Sequence, residues 1–332
     1  MFFRTSLLLL AALLAAPVWA QDSLVVYSGR SDKFVKPVVD AFTKQTGIKV
    51  ILHNAKSTAL LNKLRIEADK TRADIFLSND AGNLQKGADL GLFTKVSGAS
   101  ANVIDAQFRA TDNTWIGLSA RARVLVENTN SKNAGTVKSV FDLADPRLKD
   151  RIAITHSGNG SFVAGVTVYA DKVGDKKTAD WLNGLKSNSG GKVFNKHSKI
   201  VKAVASGKKD VGLVNHYYIY RHLAKKPNAP IRIVFPDQGS GDIGVAWNVA
   251  GVAISKYSKN TASAQKFVDF LVSKQGQKIF AEVNREYPTR NGVPSSKQVP
   301  ARDSYKVADV PMAVLGKKRD ATLNLIDSVG MP

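Results

Sequence analysis

Leu24-Val25-Val26-Tyr27-Ser28-Gly29-Arg30-Ser31 is the stretch that decides the fold. An apolar run bounded by small loop formers reads as a short buried strand. Phe34, Val38, Val39 and Phe42 then recur at helical spacing, with Pro37 in the first turn and Gly47 past the end. Ile48, Val50 and Leu52 alternate as a second strand. Ser57 or Thr58 can cap a helix carrying Leu60, Leu61 and Leu64, and Ala73-Asp74-Ile75-Phe76-Leu77 is a third strand. Strand, helix, strand, helix, strand predicts α/β units with parallel pairing.

The pattern restarts in mid-chain. Arg151-Ile152-Ala153-Ile154 reads as a strand, followed by His156-Ser157-Gly158-Asn159-Gly160-Ser161 and an apolar helix from Phe162. Ile200–Ala205 is helical and stops at Gly207, and Val211-Gly212-Leu213-Val214 is another strand. Ala250–Ile254 reads as a further strand, and the helix near Ala264–Ser273 suggests that the chain re-crosses. Two α/β lobes are the expectation, with a ligand cleft between them.

The chain opens on a short basic start, an apolar Leu7–Ala16 and Val18-Trp19-Ala20, the pattern of an export signal cleaved after Ala20. That apolar run is too short for a stable membrane span. There is no Cys, so no disulfide or lipid-bearing cysteine is expected, and any metal site must use oxygen and nitrogen donors. The formal net charge is +21, of which Arg4 in the leader supplies one. Such an excess favours anionic partners. The lysines are scattered and no basic run carries interleaved aromatics, so nucleic acid is not an expected partner. A monomer is expected.

In open α/β sheets ligands bind beyond the carboxyl ends of the strands. Arg30, Asn79 with Asp80, the Ser157–Ser161 loop, and Asn215 with Tyr217 and Tyr218 all stand at such ends. The adjacent tyrosines are the most informative. A phenolate is a hard oxygen donor that a highly charged cation can deprotonate far below its free pKa of ~10, and tyrosinate is an iron ligand. The Ser157, Gly158, Asn159, Gly160, Ser161 loop reads as an anion nest or as an ordinary turn capped by Ser161. Arg30 is a candidate carboxylate, carbonate or phosphate clamp. Arg121 and Arg123 alternate on one face of a strand, as a wet cleft wall or as structural ion pairs would. His197 and His216 are ligand candidates or structural histidines. Trivalent iron gives these parts one job: two tyrosinates neutralise two charges, and a bound anion completes charge and coordination.

Val26-Tyr27-Ser28-Gly29-Arg30, Asp40-Ala41-Phe42-Thr43 with Thr46-Gly47-Ile48-Lys49-Val50, Ala73-Asp74-Ile75-Phe76, Leu118-Ser119 through Arg123-Val124, Ala203-Val204-Ala205-Ser206-Gly207, Asn215-His216-Tyr217-Tyr218 and Glu286-Tyr287-Pro288 carry a resemblance. The chain resembles the periplasmic ferric-ion-binding proteins of bacterial ABC importers. The resemblance implies a type II two-lobe periplasmic binding protein fold, with lobes of 21–121 with 248–298 and of 122–247 with 299–332. It implies Fe3+ as transported ligand, a synergistic carbonate or phosphate, an inner-membrane permease as partner and a periplasmic location. Tyr217 and Tyr218 look like the iron-ligand pair. Asn215 and the Ser157–Ser161 loop look like the anion-holding part, with Arg30 and Arg121, or Arg123, as its arginines. Some members use a first-loop His and a Glu after the third strand, where Ser31 and Asn79 stand near; others use a further tyrosine, near Phe162 here. Asp80 is a further possible oxygen ligand, or a helix cap.

Two other functions compete. A same-fold receptor for an organic anion, such as a phosphonate, a thiamine ester or a polycarboxylate, would share the fold and the basic charge. A secreted enzyme is disfavoured, because the chain shows no Gly-x-Ser-x-Gly elbow, no His-Glu-x-x-His and no Cys nucleophile.

Overall fold

The computed structural model describes residues 23–332. The export signal read over residues 1–20 lies outside the described residues. Ten strands follow in chain order: β1 (Ser23–Ser28), β2 (Lys49–Asn54), β3 (Ile75–Ser78), β4 (Phe93–Thr94), β5 (Ile116–Asn128), β6 (Ile152–Ala153), β7 (Val211–Asn215), β8 (Ile231–Val234), β9 (Trp247–Ser255) and β10 (Tyr287–Pro288). The main order is β2-β1-β3-β9-β5-β7-β6, with β4 beside β9 and both β8 and β10 beside β5.

The first α/β units form as their periodicity dictates. The helix Asp32–Thr46 buries Val35, Val38, Val39 and Phe42 and ends at Gly47, whose φ of 74° lets its N–H reach the Thr43 carbonyl. It starts early enough that Pro37 lies inside it, one turn beyond the predicted place. The helix Ser57–Glu67 buries Leu60, Leu61 and Leu64, but neither Ser57 nor Thr58 caps it, since its N-cap position is Lys56. Ser57 instead donates from Oγ to Asn79 Oδ1 at 2.9 Å and accepts the Asn79 N–H at 3.2 Å, tying two strand-end loops together. A Cβ on Gly29 would come within 1.9 Å of Ser57 Oγ, so this close approach requires glycine.

β1 pairs in parallel with β2 and β3, and β6 with β7, as expected. The sheet as a whole is mixed: β9 runs antiparallel to β3 and β5, and β5 runs antiparallel to β7, β8 and β10. Alternating strand and helix signals predict parallel units, but they cannot show that the long strands β5 and β9 run between two such units.

β5 is the architectural key, a 13-residue strand buried along its whole length. Its first half, Ile116–Ala122, pairs with β9; its second, Arg123–Glu127, pairs with β7. The partner exchange falls between Ala122 and Arg123, opposite Trp247. The strand thus passes from one set of partners to another here, with Arg121 and Arg123 on either side of the exchange. Beyond Val299 the chain touches both sides. The helix Val314–Lys317 sits on the helix Ala81–Asp89, where Gly316 abuts Gln85, while Thr322 in the helix Arg319–Val329 meets Thr167 hydroxyl to hydroxyl at 3.0 Å. No helix among the described residues is long and apolar enough to cross a membrane.

Candidate metal and anion site

β7 delivers the tyrosines. Its last residue, Asn215, is 2 % exposed; His216 turns the chain, and the short helix Tyr217–Leu223 begins at once. The Tyr217 and Tyr218 rings lie 4.4 Å apart, centroid to centroid. Tyr217 is buried and Tyr218 half-buried. Burial, with the Tyr217 hydroxyl beside it, pushes the Tyr218 phenol well above its ordinary value. A phenol so placed keeps its proton until a cation takes the oxygen.

Asn215 joins three elements. It accepts from Arg123 Nη1 at 3.2 Å, donates to Ser161 Oγ at 3.2 Å and faces the Tyr217 hydroxyl at 3.5 Å. Arg123 is itself 2 % exposed, and its Nε and Nη2 meet no partner. Burial lowers its pKa to about 10, so it remains a cation at neutral pH. The Tyr169 hydroxyl, Arg121 Nε and both ring nitrogens of His197 are likewise buried without partners. His197 stacks on Tyr218 at 5.0 Å, and burial together with Arg123 and Arg121 holds it neutral, well below its usual range. Buried polar atoms are ordinarily hydrogen-bonded. The unsatisfied guanidinium donors lie close to phenols and have hydrogen-bonding capacity left open.

Arg121 links two of the strand-end groups, that of Asn79 and, through Glu286, that of Arg30. Its Nη2 donates to the Asn79 carbonyl, and its charge acts on Glu286. Arg30 differs from the expectation of a free clamp. Its Nη2 holds both Glu286 oxygens at 3.0 and 2.8 Å, and its Nη1 reaches Ser119 Oγ at 3.1 Å. Glu286 arrives from a part of the chain more than 250 residues away and takes up the guanidinium, so Arg30 is paired within the fold rather than free. Burial alone would raise the Glu286 pKa, but Arg30, Arg121 and Ser119 bring it below the usual carboxylate value.

Asp80 caps the helix Ala81–Asp89, accepting the Asn83 N–H at 3.3 Å and the Asn83 carboxamide, with Arg319 at 3.8 Å. Its oxygens are committed to this capping network. In the Ser157–Ser161 loop the cap of the helix Gly160–Val173 is Asn159, not Ser161. Its Oδ1 accepts the N–H groups of Ser161 at 3.0 Å and Phe162 at 3.3 Å, which closes those two donors to an anion. Neither Gly158 nor Gly160 has a positive φ, and the Ser157 N–H is taken by the Pro332 carbonyl at 2.8 Å. Of the loop's side chains, Ser161 Oγ is the one that meets Asn215. His216 is structural: its Nδ1 accepts the Ala122 N–H at 3.1 Å, so its Nε2 must donate to the Arg285 carbonyl at 2.7 Å.

Sequence reading missed Tyr169, Arg221 and the partnership of Glu286. Arg221 lies 4.8 Å over the Tyr217 ring and 4.4 Å over that of Phe34. Its place four residues after Tyr217 was the only available signal. Among the described residues no three His, Cys, Asp or Glu side chains group as a metal site, so metal binding here would depend on the tyrosines.

Comparison with known proteins defines the class. The family model for bacterial extracellular solute-binding proteins matches residues 38–306. The chain is 32 % identical to the major ferric iron-binding protein of Neisseria meningitidis over 97 % of both chains. It is 33 % identical to the Fe(3+)-binding periplasmic protein of Serratia marcescens over 86 % of this chain and 84 % of that one. Among solved structures, iron-bound HitA from Pseudomonas aeruginosa superposes with a TM-score of 0.86 at 27 % identity, covering 93 % of this chain and 99 % of the other. The Trichodesmium protein in complex with iron and citrate gives 0.84 at 31 % identity, covering 93 % and 100 %. The chain belongs to the bacterial extracellular solute-binding proteins, among their ferric iron-binding members, and has their two-lobe fold.

Proposed function

We propose that this protein captures ferric iron in the periplasm, together with a synergistic anion, and delivers it to an ABC permease. Tyr217 and Tyr218 serve as the iron ligands, and Arg121, Arg123, Asn215 and Ser161 hold the anion. The observation that carries the reading is the pair of adjacent phenols facing buried arginine donors without partners. Bare iron would be repelled by Arg121 and Arg123. An anion between them removes that repulsion, and two phenolates leave only one charge of the metal to neutralise. The chain contributes the two phenols and the fixed donors; iron as cargo displaces two phenolic protons to solvent, so affinity falls with falling pH.

The two lobes meet where β5 changes partners. We assign 21–121 with 248–298 to one and 122–247 with 299–332 to the other, with closure around a ligand that contacts both. The export signal ending near Ala20, the periplasmic location of the relatives and their class as solute receptors fit this reading, and give no ground for an enzymatic role.

The test is a visible spectrum of the purified protein with ferric iron and bicarbonate, or phosphate, beside the Tyr217→Phe/Tyr218→Phe variant. A tyrosinate-to-iron charge-transfer band that disappears in the variant is expected. A folded wild type without the band would overturn the iron reading and leave the receptor for an organic anion.

A further inference from the structure

The mouth of the cleft beside Tyr218 is a cavity of about 470 Å³ that draws on both lobes. Lys33 and Arg285 contribute from one side, and Lys202, Arg221 and Lys225 from the other, while Tyr218 reaches it from the proposed iron site. No carboxylate lines it. The acidic side chains around it are engaged elsewhere: Glu286, whose charge acts on Arg221, is held by Arg30 and Ser119, Glu282 pairs with Lys278 at 3.8 Å, and Asp32 lines a separate groove with Lys36 and Asp40. His222, the remaining titratable group on the wall, is held below its usual pKa by burial, Lys226 and Lys202, which keeps it uncharged. Lys33 and Arg221 both lie over the Phe34 ring, at 4.8 and 4.4 Å, which fixes two of the five cations at the entrance. Arg285 is anchored by its backbone: it sits in the left-handed region at φ 56°, where its carbonyl accepts from His216.

A cavity of this volume lies within the range of small-molecule sites. Five cations and no anion make it hostile to a bare metal ion and favourable to a multiply charged anion. Its wall includes Tyr218, one of the two phenols that would take the iron. From this juxtaposition we propose that the vestibule is a subsite for a polycarboxylate anion, through which iron arrives as a negatively charged chelate. The chelator's free carboxylates rest on Lys33, Lys202 and Lys225 while the metal is handed to Tyr218 and Tyr217. This deepens the ferric reading and rests on it for the identity of the cargo. No covalent step is involved: chelator oxygens leave the iron as phenolate oxygens replace them, and the phenolic protons pass to the released carboxylates or to water.

The experiment compares wild type with a Lys33→Ala/Lys202→Ala/Lys225→Ala variant, all exposed lysines outside the proposed iron and anion set. Growth of the charge-transfer band is followed in stopped flow after mixing with ferric citrate, which is anionic, or with ferric tris(acetohydroxamate) in excess ligand, which is neutral. The variant should load from ferric citrate about tenfold more slowly at low ionic strength and keep its rate with the hydroxamate complex within about twofold, the citrate difference shrinking as salt is added. Equal loss with both donors, or no loss with either, overturns the vestibule. Calorimetry of the metal-free protein with citrate alone is the second arm, with heat expected from wild type and abolished in the variant. If no band forms in either protein with either donor, the ferric reading fails, and the citrate calorimetry then decides the vestibule by itself.

Discussion

The two walls of the cleft treat their arginines in opposite ways. On one, Arg30 is closed in by Glu286 and Ser119, and Asp80 by Asn83 and Arg319. On the other, Arg123 is as deeply buried as Arg30 but leaves two of its nitrogens without a partner, next to an unpartnered Tyr169 hydroxyl and an unpartnered His197. A satisfied buried network rigidifies a fold, whereas an unsatisfied one costs stability until something fills it. On the proposed reading the first wall serves as scaffold and the second as receptor.

Removing both phenols, in Tyr217→Phe/Tyr218→Phe, should break the second wall most severely. Ferric affinity should fall by more than the roughly 10–100-fold that loss of an outer partner costs, measured by competition with a chelator. Retained affinity would place the metal elsewhere.

The arginines sharpen the contrast through stability. Arg30→Met strands Glu286 without its cation and should cost about 3–5 kcal/mol in urea unfolding. Arg123→Met removes a buried charge with open donors. It should leave the metal-free protein equally or more stable, while lowering iron affinity about 10–100-fold in the presence of bicarbonate. If the two variants exchanged these outcomes, the division of the walls would be wrong.

Acid should act on the scaffold in two stages. His216 is pushed down to about 4 from 6.5, chiefly by burial, so the fold holds it neutral while the unfolded chain takes a proton. Its contribution is complete above pH 6.5 and is lost as pH falls toward about 4. Glu286, lowered below 4.5, adds stability above that value and loses it below, as pH falls through the folded-state pKa. Thermal melts of the metal-free protein should show both stages, and Glu286→Gln should flatten only the lower one.

The smallest effect expected is that of Asp80→Ala. Loss of its cap should cost about 1 kcal/mol and leave iron affinity within about twofold. A collapse of affinity would move Asp80 from the scaffold into the ligand set.

Much of this was written locally in the chain. The periodicity of Phe34–Phe42, the apolar run of β3 and the stop at Gly47 specify α/β units because each rests on neighbours within a few residues. Tyr217 and Tyr218 were legible as a candidate pair because adjacency and a strand end are both local facts. The helix cap in the Ser157–Ser161 loop was misread by two residues, because Asn159 and Ser161 offer equally good oxygens and only backbone geometry chooses between them.

What the sequence by itself determined was the set of parts: two rounds of α/β units, a hard-donor pair, arginines on one face of a strand and an excess of positive charge. Only the tertiary structure decided which arginine was free. Glu286 lies far from Arg30 in sequence, yet the fold sets it beside Arg30 and Ser119, while Arg123, past the point where β5 changes partners, bonds Asn215 and keeps two nitrogens open. Pairing of charges is a matter of distance in space, and no local pattern in the chain encodes it.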